Sequence, residues 1–142
     1  MPRPTLKRIR TAGITLAGVL FVCSLGFTTL RSADNSSFSV GLACLLLGMF
    51  YLPWWANPCL FFTWCLLCEE KPAWATATAT VATTLMLTAL TITQIPVNEA
   101  GTLSPITSYG PGFYLWLASS LALLGTAIFC LIKDERAALP VA

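Results

Sequence analysis

Four apolar runs divide the chain: Thr11 to Leu30, Phe38 to Cys68, Ala73 to Ile95 and Gly112 to Ile132. The first, third and fourth hold 20, 23 and 21 residues. At about 1.5 Å of rise per residue, each is long enough as a helix to span a hydrocarbon core of about 30 Å. The second run holds 31 residues and no charged side chain. As a single helix it would measure about 46 Å, long for one straight crossing. Split at its prolines, it leaves 15 residues from Phe38 to Leu52, only about 22 Å, and a still shorter piece from Pro58 to Cys68. Length therefore favours one crossing, kinked or broken where Pro53-Trp54-Trp55-Ala56-Asn57-Pro58 interrupts it, with its first half lying shallowly at the outer surface.

The third run opens Ala75-Thr76-Ala77-Thr78-Ala79-Thr80, an alternation that would mean a strand in water. Its apolar length overrides that reading in favour of a helix. Thr83, Thr84, Thr88, Thr91 and Thr93 follow. Their hydroxyls can bond back to carbonyls three or four residues earlier. Threonine on every face predicts a helix surrounded by others. In lipid, small residues mark helix contacts. Gly13 with Ala17, and Ala118 with Ala122 and Gly125, are the candidate contact stripes.

Composition moves the reading in the same direction. The chain of 142 residues is 56% hydrophobic and 10% charged, with a mean hydropathy of +0.77. Soluble domains carry about a quarter charged residues. The bilayer is thus the expected solvent and principal partner, for a single transmembrane domain over 1–142. The basic start and Ile14 to Leu25 resemble a signal peptide, but Arg31-Ser32-Ala33-Asp34 is a poor cleavage site and bulky Val22 before Cys23 spoils a lipoprotein site. The first run is read as a retained helix.

Charge decides the number of crossings. The basic residues are Arg3, Lys7, Arg8, Arg10, Arg31, Lys71, Lys133 and Arg136. Four crossings with the N-terminus inside put all but Arg31 on the cytoplasmic side. Five crossings would divide them evenly, which the positive-inside rule disfavours. A cluster of cations beside an apolar run is a topology signal, and no nucleic-acid partner is expected. Asn35-Ser36-Ser37 is a glycosylation triplet on the outer side.

Candidate chemistry is sparse. Pro53 and Pro58 each lack an N–H, and freed carbonyls in lipid need partners. Asn57, with the ring N–H groups of Trp54 and Trp55, can supply donors, which makes this stretch either an internally satisfied hinge or a broken-helix site for an ion or small polar ligand. Cys65 and Cys68 share one helical face. They sit at a helix C-terminus beside Glu69 and Glu70, a field that opposes thiolate formation. The outer loop from Pro96 to Pro111 has no cysteine to relay a disulfide, and the chain has no histidine. No crossing carries an ionisable group near its middle, as proton-coupled transport requires. No phosphate loop, nucleophile elbow or paired carboxylate is present. No enzyme activity, cofactor or metal is expected.

Trp55-Ala56-Asn57-Pro58 and Gly110-Pro111-Gly112-Phe113-Tyr114-Leu115-Trp116-Leu117-Ala118-Ser119 resemble W-x-A-N-P and G-x-G-Y-x-L-W-L-x-S patterns of uncharacterised small bacterial four-helix inner-membrane proteins. The basic patch of those proteins between the second and third helices is reduced here to Glu69-Glu70-Lys71, and Phe113 takes the first aromatic position. The resemblance implies a bacterial inner membrane and assigns no activity. Tyr114 and Trp116 suit an interface. With Gly110 and Gly112 they form a candidate outer platform, against which the Asn57 turn is expected to pack.

The expected fold is all-α, an integral membrane four-helix bundle with its second helix kinked or broken at Pro53 to Pro58. The expected function is that of an accessory or interaction subunit of a membrane complex, partnered by other membrane subunits or by copies of itself. The alternatives are a small oligomeric channel or carrier with Asn57 and the threonines along its path, and a thiol redox or metal protein using Cys65 and Cys68. Four crossings put both termini in the cytoplasm. A reporter that is active only outside the cell will therefore be silent when fused after Ala142, and a cytoplasmic reporter there will be active; the reverse pattern refutes the count.

Overall fold

The computed structural model describes residues 3–33, 38–96 and 102–138. In chain order the elements are helix α1 (Arg3–Gly26), strands β1 (Thr28–Ser32) and β2 (Phe38–Val40), short helix α2 (Gly41–Leu47), 3-10 turns at Gly48–Phe50 and Leu52–Trp55, and helix α3 (Ala56–Cys68). Helix α4 (Pro72–Leu87) follows and tightens into a 3-10 turn at Thr88–Thr91. Strands β3 (Gln94–Pro96) and β4 (Leu103–Tyr109) and helix α5 (Pro111–Ala138) complete the described chain. The described residues are mostly helical. Three helical stretches are long and apolar enough to cross a membrane: Thr5–Gly26, Pro72–Thr91 and Pro111–Arg136.

Helix α1 lies along α5, α5 along α4, and α4 along α3, with lighter contact of α3 to α1 and α5. Small side chains permit this closeness. The core holds Ala17, Ala56, Ala75, Ala82 and Ala127 around Leu60, Leu67, Met86 and Leu123. A Cβ added at Gly13 would lie 2.1 Å from Thr126 Oγ1, so that glycine sets the spacing of α1 and α5. Gly125 of the other proposed stripe faces open space.

Threonine chemistry on α4 follows the backbone. Thr76, Thr80, Thr83 and Thr84 each donate to the carbonyl four residues earlier, at 2.8 to 2.9 Å. Two hydroxyl pairs cross between helices: Thr63–Thr78 at 2.9 Å and Thr83–Ser120 at 2.7 Å. Within the single chain α4 is not surrounded, and Trp74, Thr80, Val81, Thr84 and Leu87 are exposed. Outward threonines are tolerated because each hydroxyl has a carbonyl within its own helix.

The turn between α3 and α4 is closed by a Schellman pattern. Lys71 N–H donates to Leu66 O at 2.9 Å and Glu70 N–H to Leu67 O at 3.3 Å. Glu70 occupies the left-handed position at φ 61°, where glycine is usual. Its carboxylate reaches Arg10 of α1 at 2.6 Å and ties the ends of α1 and α3.

At the opposite end stands a four-stranded antiparallel sheet, in the order β2-β1-β4-β3. The all-α expectation contains no sheet, and most of the described part of the outer loop from Pro96 to Pro111 is strand β4. Within that loop Tyr109, Ser108 and Ile106 pair with Leu30, Arg31 and Ser32, which follow the end of α1, and Ile106 and Tyr109 are of the β-branched and aromatic types that suit a strand. Leu30 is thus in a strand and not in the first helix, which ends at Gly26. Pro105 is tolerated in the central strand because it lies just past the last β1–β4 pair, Ser32–Ile106, where no ladder donor is required of it, and its carbonyl still accepts from Ala33 N–H at 3.1 Å.

The second apolar run, 38–68, does not begin as a helix. Phe38–Val40 is a strand, and the stretch up to Trp55 is a short helix followed by 3-10 turns. The prolines open elements here and do not kink one. Pro53 sits at the start of the Leu52–Trp55 turn, and Pro58 in the first turn of α3, where an N–H would be unpaired anyway. The triplet Asn35-Ser36-Ser37 lies outside the described residues.

Two glycine substitutions and a control test the packing. Gly110→Ala puts a Cβ 2.2 Å from the Thr28 carbonyl, and Gly13→Ala meets the stiff Thr126 side chain. Each is expected to lower stability by about 1–3 kcal/mol, the usual cost of overpacking. Gly125→Ala is expected to be neutral or stabilising by up to about 1 kcal/mol. Thermal unfolding in mild detergent ranks the three.

Candidate functional site

The best-formed site lies at the sheet end. The stretch from Ser24 to Thr28, where α1 gives way to β1, brings its carbonyls against three glycines. Cβ atoms at Gly41, Gly110 and Gly112 would meet the Ser24, Thr28 and Phe27 carbonyl oxygens at 2.3, 2.2 and 2.7 Å. Gly41 N–H donates to Phe27 O at 3.0 Å, and Gly110 N–H to Thr29 O at 2.9 Å. The start of α5 is thereby held against the end of α1. Pro111 is preset for a first helical position.

This placement brings Trp116, on the second turn of α5, against the start of α3. Trp116 Nε1–H donates to Asn57 Oδ1 at 2.9 Å. The expected packing of the Asn57 turn on the 110–116 helix start is therefore a direct hydrogen bond. An indole nitrogen only donates, so the amide of Asn57 must turn its oxygen to Trp116 and its –NH2 away. Among the described residues that amine has no hydrogen-bond partner.

The other residues singled out in the sequence divide. Pro53 is buried, and Trp54 Nε1–H donates to Leu45 O at 2.6 Å, which fixes α2 to the turn before α3. Trp55 meets the Trp54 ring edge-on and is exposed. Pro58 is half-buried. Gly110 and Gly112 are buried, whereas Tyr114 points outward and touches Phe113 edge-on. Cys65 and Cys68 lie at the far end of α3, one half-buried and one exposed, both free thiols. They share nothing with the Asn57 cluster.

Between α1, α2, the 3-10 turns, α5 and the sheet lies a cavity of about 300 Å³. Its lining includes Phe21, Leu25, Leu45, Trp54, Ile92 and Phe113 along with Asn57 and Trp116. Among the described residues no charged side chain lines it. Thr29 contributes a buried hydroxyl without an oxygen or nitrogen partner among the described residues; the Cys44 thiol, a weak partner, sits against it. Sequence reasoning missed Phe21, Thr29, Cys44 and Phe113. The available signal was the pair Gly110 and Gly112, whose spacing around Pro111 marks a close backbone approach.

Tyr109 of β4 braces the cavity from the side, donating from its hydroxyl to Ala89 O at 3.0 Å at the end of α4. Burial, aided by the neighbouring Tyr114, holds this phenol above its ordinary value, so it stays a donor. At the opposite end, a polar cavity of about 470 Å³ is lined by Lys7, Arg10, Glu70, Lys71, Cys130 and Asp134. Its charges are of mixed sign, and Lys71 is engaged by Glu69 at 2.7 Å.

The Asn57–Trp116 bond is expected to be a structural tie as well as a site feature. Asn57→Leu leaves the indole N–H without its acceptor and should cost about 1–3 kcal/mol. Trp116→Phe should cost a similar amount. The double variant should cost less than the sum, as read by thermal unfolding in detergent; strict additivity would mean that the bond contributes nothing.

Compared with known protein families, with curated proteins and with solved structures, the chain has no match.

Proposed function

We infer that this chain is a four-pass membrane protein with no enzymatic activity of its own, acting as an accessory or interaction subunit of a membrane complex. Three of the four crossings are α1, α4 and α5, each of sufficient length and apolarity. The fourth is α3 with the turn before it. Thirteen helical residues rise about 20 Å and four 3-10 residues about 8 Å, together near the thickness of the hydrocarbon core. This is a second crossing that is broken, as distinct from kinked, and it makes the helical part a four-helix bundle. Both termini then share the cytoplasmic side with the turn at 69–71, and the sheet stands outside. The W-x-A-N-P resemblance supports a bacterial inner membrane.

The observation that carries the interaction reading is the apolar knuckle formed by residues 49–55. Met49, Phe50, Leu52 and Trp55 are all exposed, Phe50 at 90%. They project from 3-10 turns whose inner side is anchored by Pro53 and Trp54. A rigidly held group of large apolar side chains at the outer interface is suited to another membrane subunit, where aromatic anchors dominate contact energies. The channel or carrier reading loses its motive on α4, whose threonines bond largely within their own helix. The thiol reading has only Cys65 and Cys68, at the end remote from the cavity.

A photo-crosslinking amino acid at Phe50, followed by gentle purification from native membranes and mass spectrometry, tests this. The expected result is one stoichiometric foreign membrane subunit joined through residue 50. Crosslinks to lipid alone sink the reading. Crosslinks only between copies of this chain replace it with the oligomeric channel or carrier, to be pursued by solute flux.

A further inference from the structure

The cavity at the sheet end has chemistry that the interaction reading does not use. Its walls are apolar, with no charged side chain among the described residues that line it. Its polar groups are mostly already engaged: Trp54 Nε1–H by Leu45 O, Trp116 Nε1–H by Asn57 Oδ1, and the Ser24 hydroxyl by Phe21 O. Besides the exposed Tyr51 hydroxyl, two donors stand open among the described residues. One is the Asn57 amine, turned away from Trp116 because the indole can only donate. The other is the Thr29 hydroxyl, more than nine-tenths buried, with only the weak Cys44 thiol against it. A buried donor without a good acceptor is costly, so the arrangement suits a guest that brings one.

The volume, about 300 Å³, is at the small end of the range typical of ligand pockets, about 300–1,000 Å³. The wall formed by α2 is apolar on its outward side too, where Leu42 and Leu46 are exposed. On the four-crossing reading that wall faces lipid, so a guest reaches the cavity from the bilayer. A charged guest would lose its hydration without gaining a counter-charge. We propose that this cavity binds one neutral membrane lipid through a hydrocarbon chain and a carbonyl oxygen that accepts from Asn57 Nδ2, with Thr29 as the second donor. An ester carbonyl of a phospholipid offers the same acceptor, but with a charged headgroup attached. The two sources are separated by experiment.

The protein is placed in phosphatidylcholine nanodiscs and photolabelled with a diazirine-bearing fatty acid methyl ester, and adducts are mapped by mass spectrometry. Labelling is expected to saturate and to fall on Leu25, Leu45, Ile92 and Phe113. A diacylglycerol should compete, whereas an alkane of equal length should compete roughly three- to tenfold less well, the worth of one hydrogen bond. Asn57→Leu should reduce competition by the ester to that of the alkane. Ile92→Trp fills the cavity while leaving Asn57 and Trp116 in place, and should abolish saturable labelling at an unchanged Tm. It serves as the deciding variant if Asn57→Leu fails to fold. Scattered non-saturating labels, an alkane competing as well as the ester, preference for added phospholipid or free fatty acid, or saturable labelling retained in Ile92→Trp would each overturn the proposal. Crosslinking through Phe50 is unaffected by any of these results, so the interaction reading stands or falls separately.

Discussion

The close approach of the end of α1 to the Gly110–Pro111–Gly112 corner governs the sheet end of this molecule. Just past the end of α1, the carbonyls of Phe27 and Thr29 leave the helix and need donors. The chain meets them with backbone, and only residues without a Cβ can come so near. Gly41 and Gly110 satisfy Phe27 and Thr29 directly. Gly112 lets the first turn of α5 slide against Phe27 and Ser24. From that corner follow the register of β1 on β4, the position of Trp116 opposite Asn57, and the space enclosed beneath the sheet. Glycine is used here for proximity, with no unusual torsion involved.

A second constraint is that polar groups in an apolar surrounding must be matched one by one. The threonines of α4 meet it locally, by returning hydroxyls to the preceding turn. Two pairs, Thr63–Thr78 and Thr83–Ser120, carry it between helices. Tyr109 closes the carbonyl of Ala89 where α4 runs out. Against this background of near-complete matching, Thr29, Asn57 and Trp64 Nε1 stand out. Trp64 is buried edge-on against Phe21 at 5.6 Å between centroids, with its nitrogen unpaired among the described residues. The other two share a cavity.

The helices could be read from the chain because apolar length is a long-range average that a few unusual residues do not disturb. The alternating Ala-Thr run of α4 was placed correctly for that reason, against its strand-like period. Helix ends were harder. Gly26 stops α1 four residues before the apolar run itself stops at Leu30, and nothing in hydropathy distinguishes a buried strand from the last turn of a helix. The sheet was hidden for the same cause. Its central strand contains Pro105, which argues against a strand unless one knows that the pairing with β1 ends at Ile106 beside it. The Asn57 cluster was foreseeable in part, since an asparagine between prolines must find partners and Trp116 is an interface residue. The cavity was not, because Thr29, Ile92 and Phe113 meet only after strands seventy-odd positions apart have paired.

That separation bears on how the chain is completed. Strand β1 leaves the ribosome early, but its partner β4 lies beyond α4, and the glycine corner beyond that. Until residue 112 emerges, β1 has only β2 beside it, a two-stranded ribbon of the kind that is marginal on its own. Long-range strand pairing is also slow relative to helix formation. The helices up to α4 can therefore be in place while the sheet end is still open. The floor of the cavity is laid first and the roof last, by the segment that joins the last two helices.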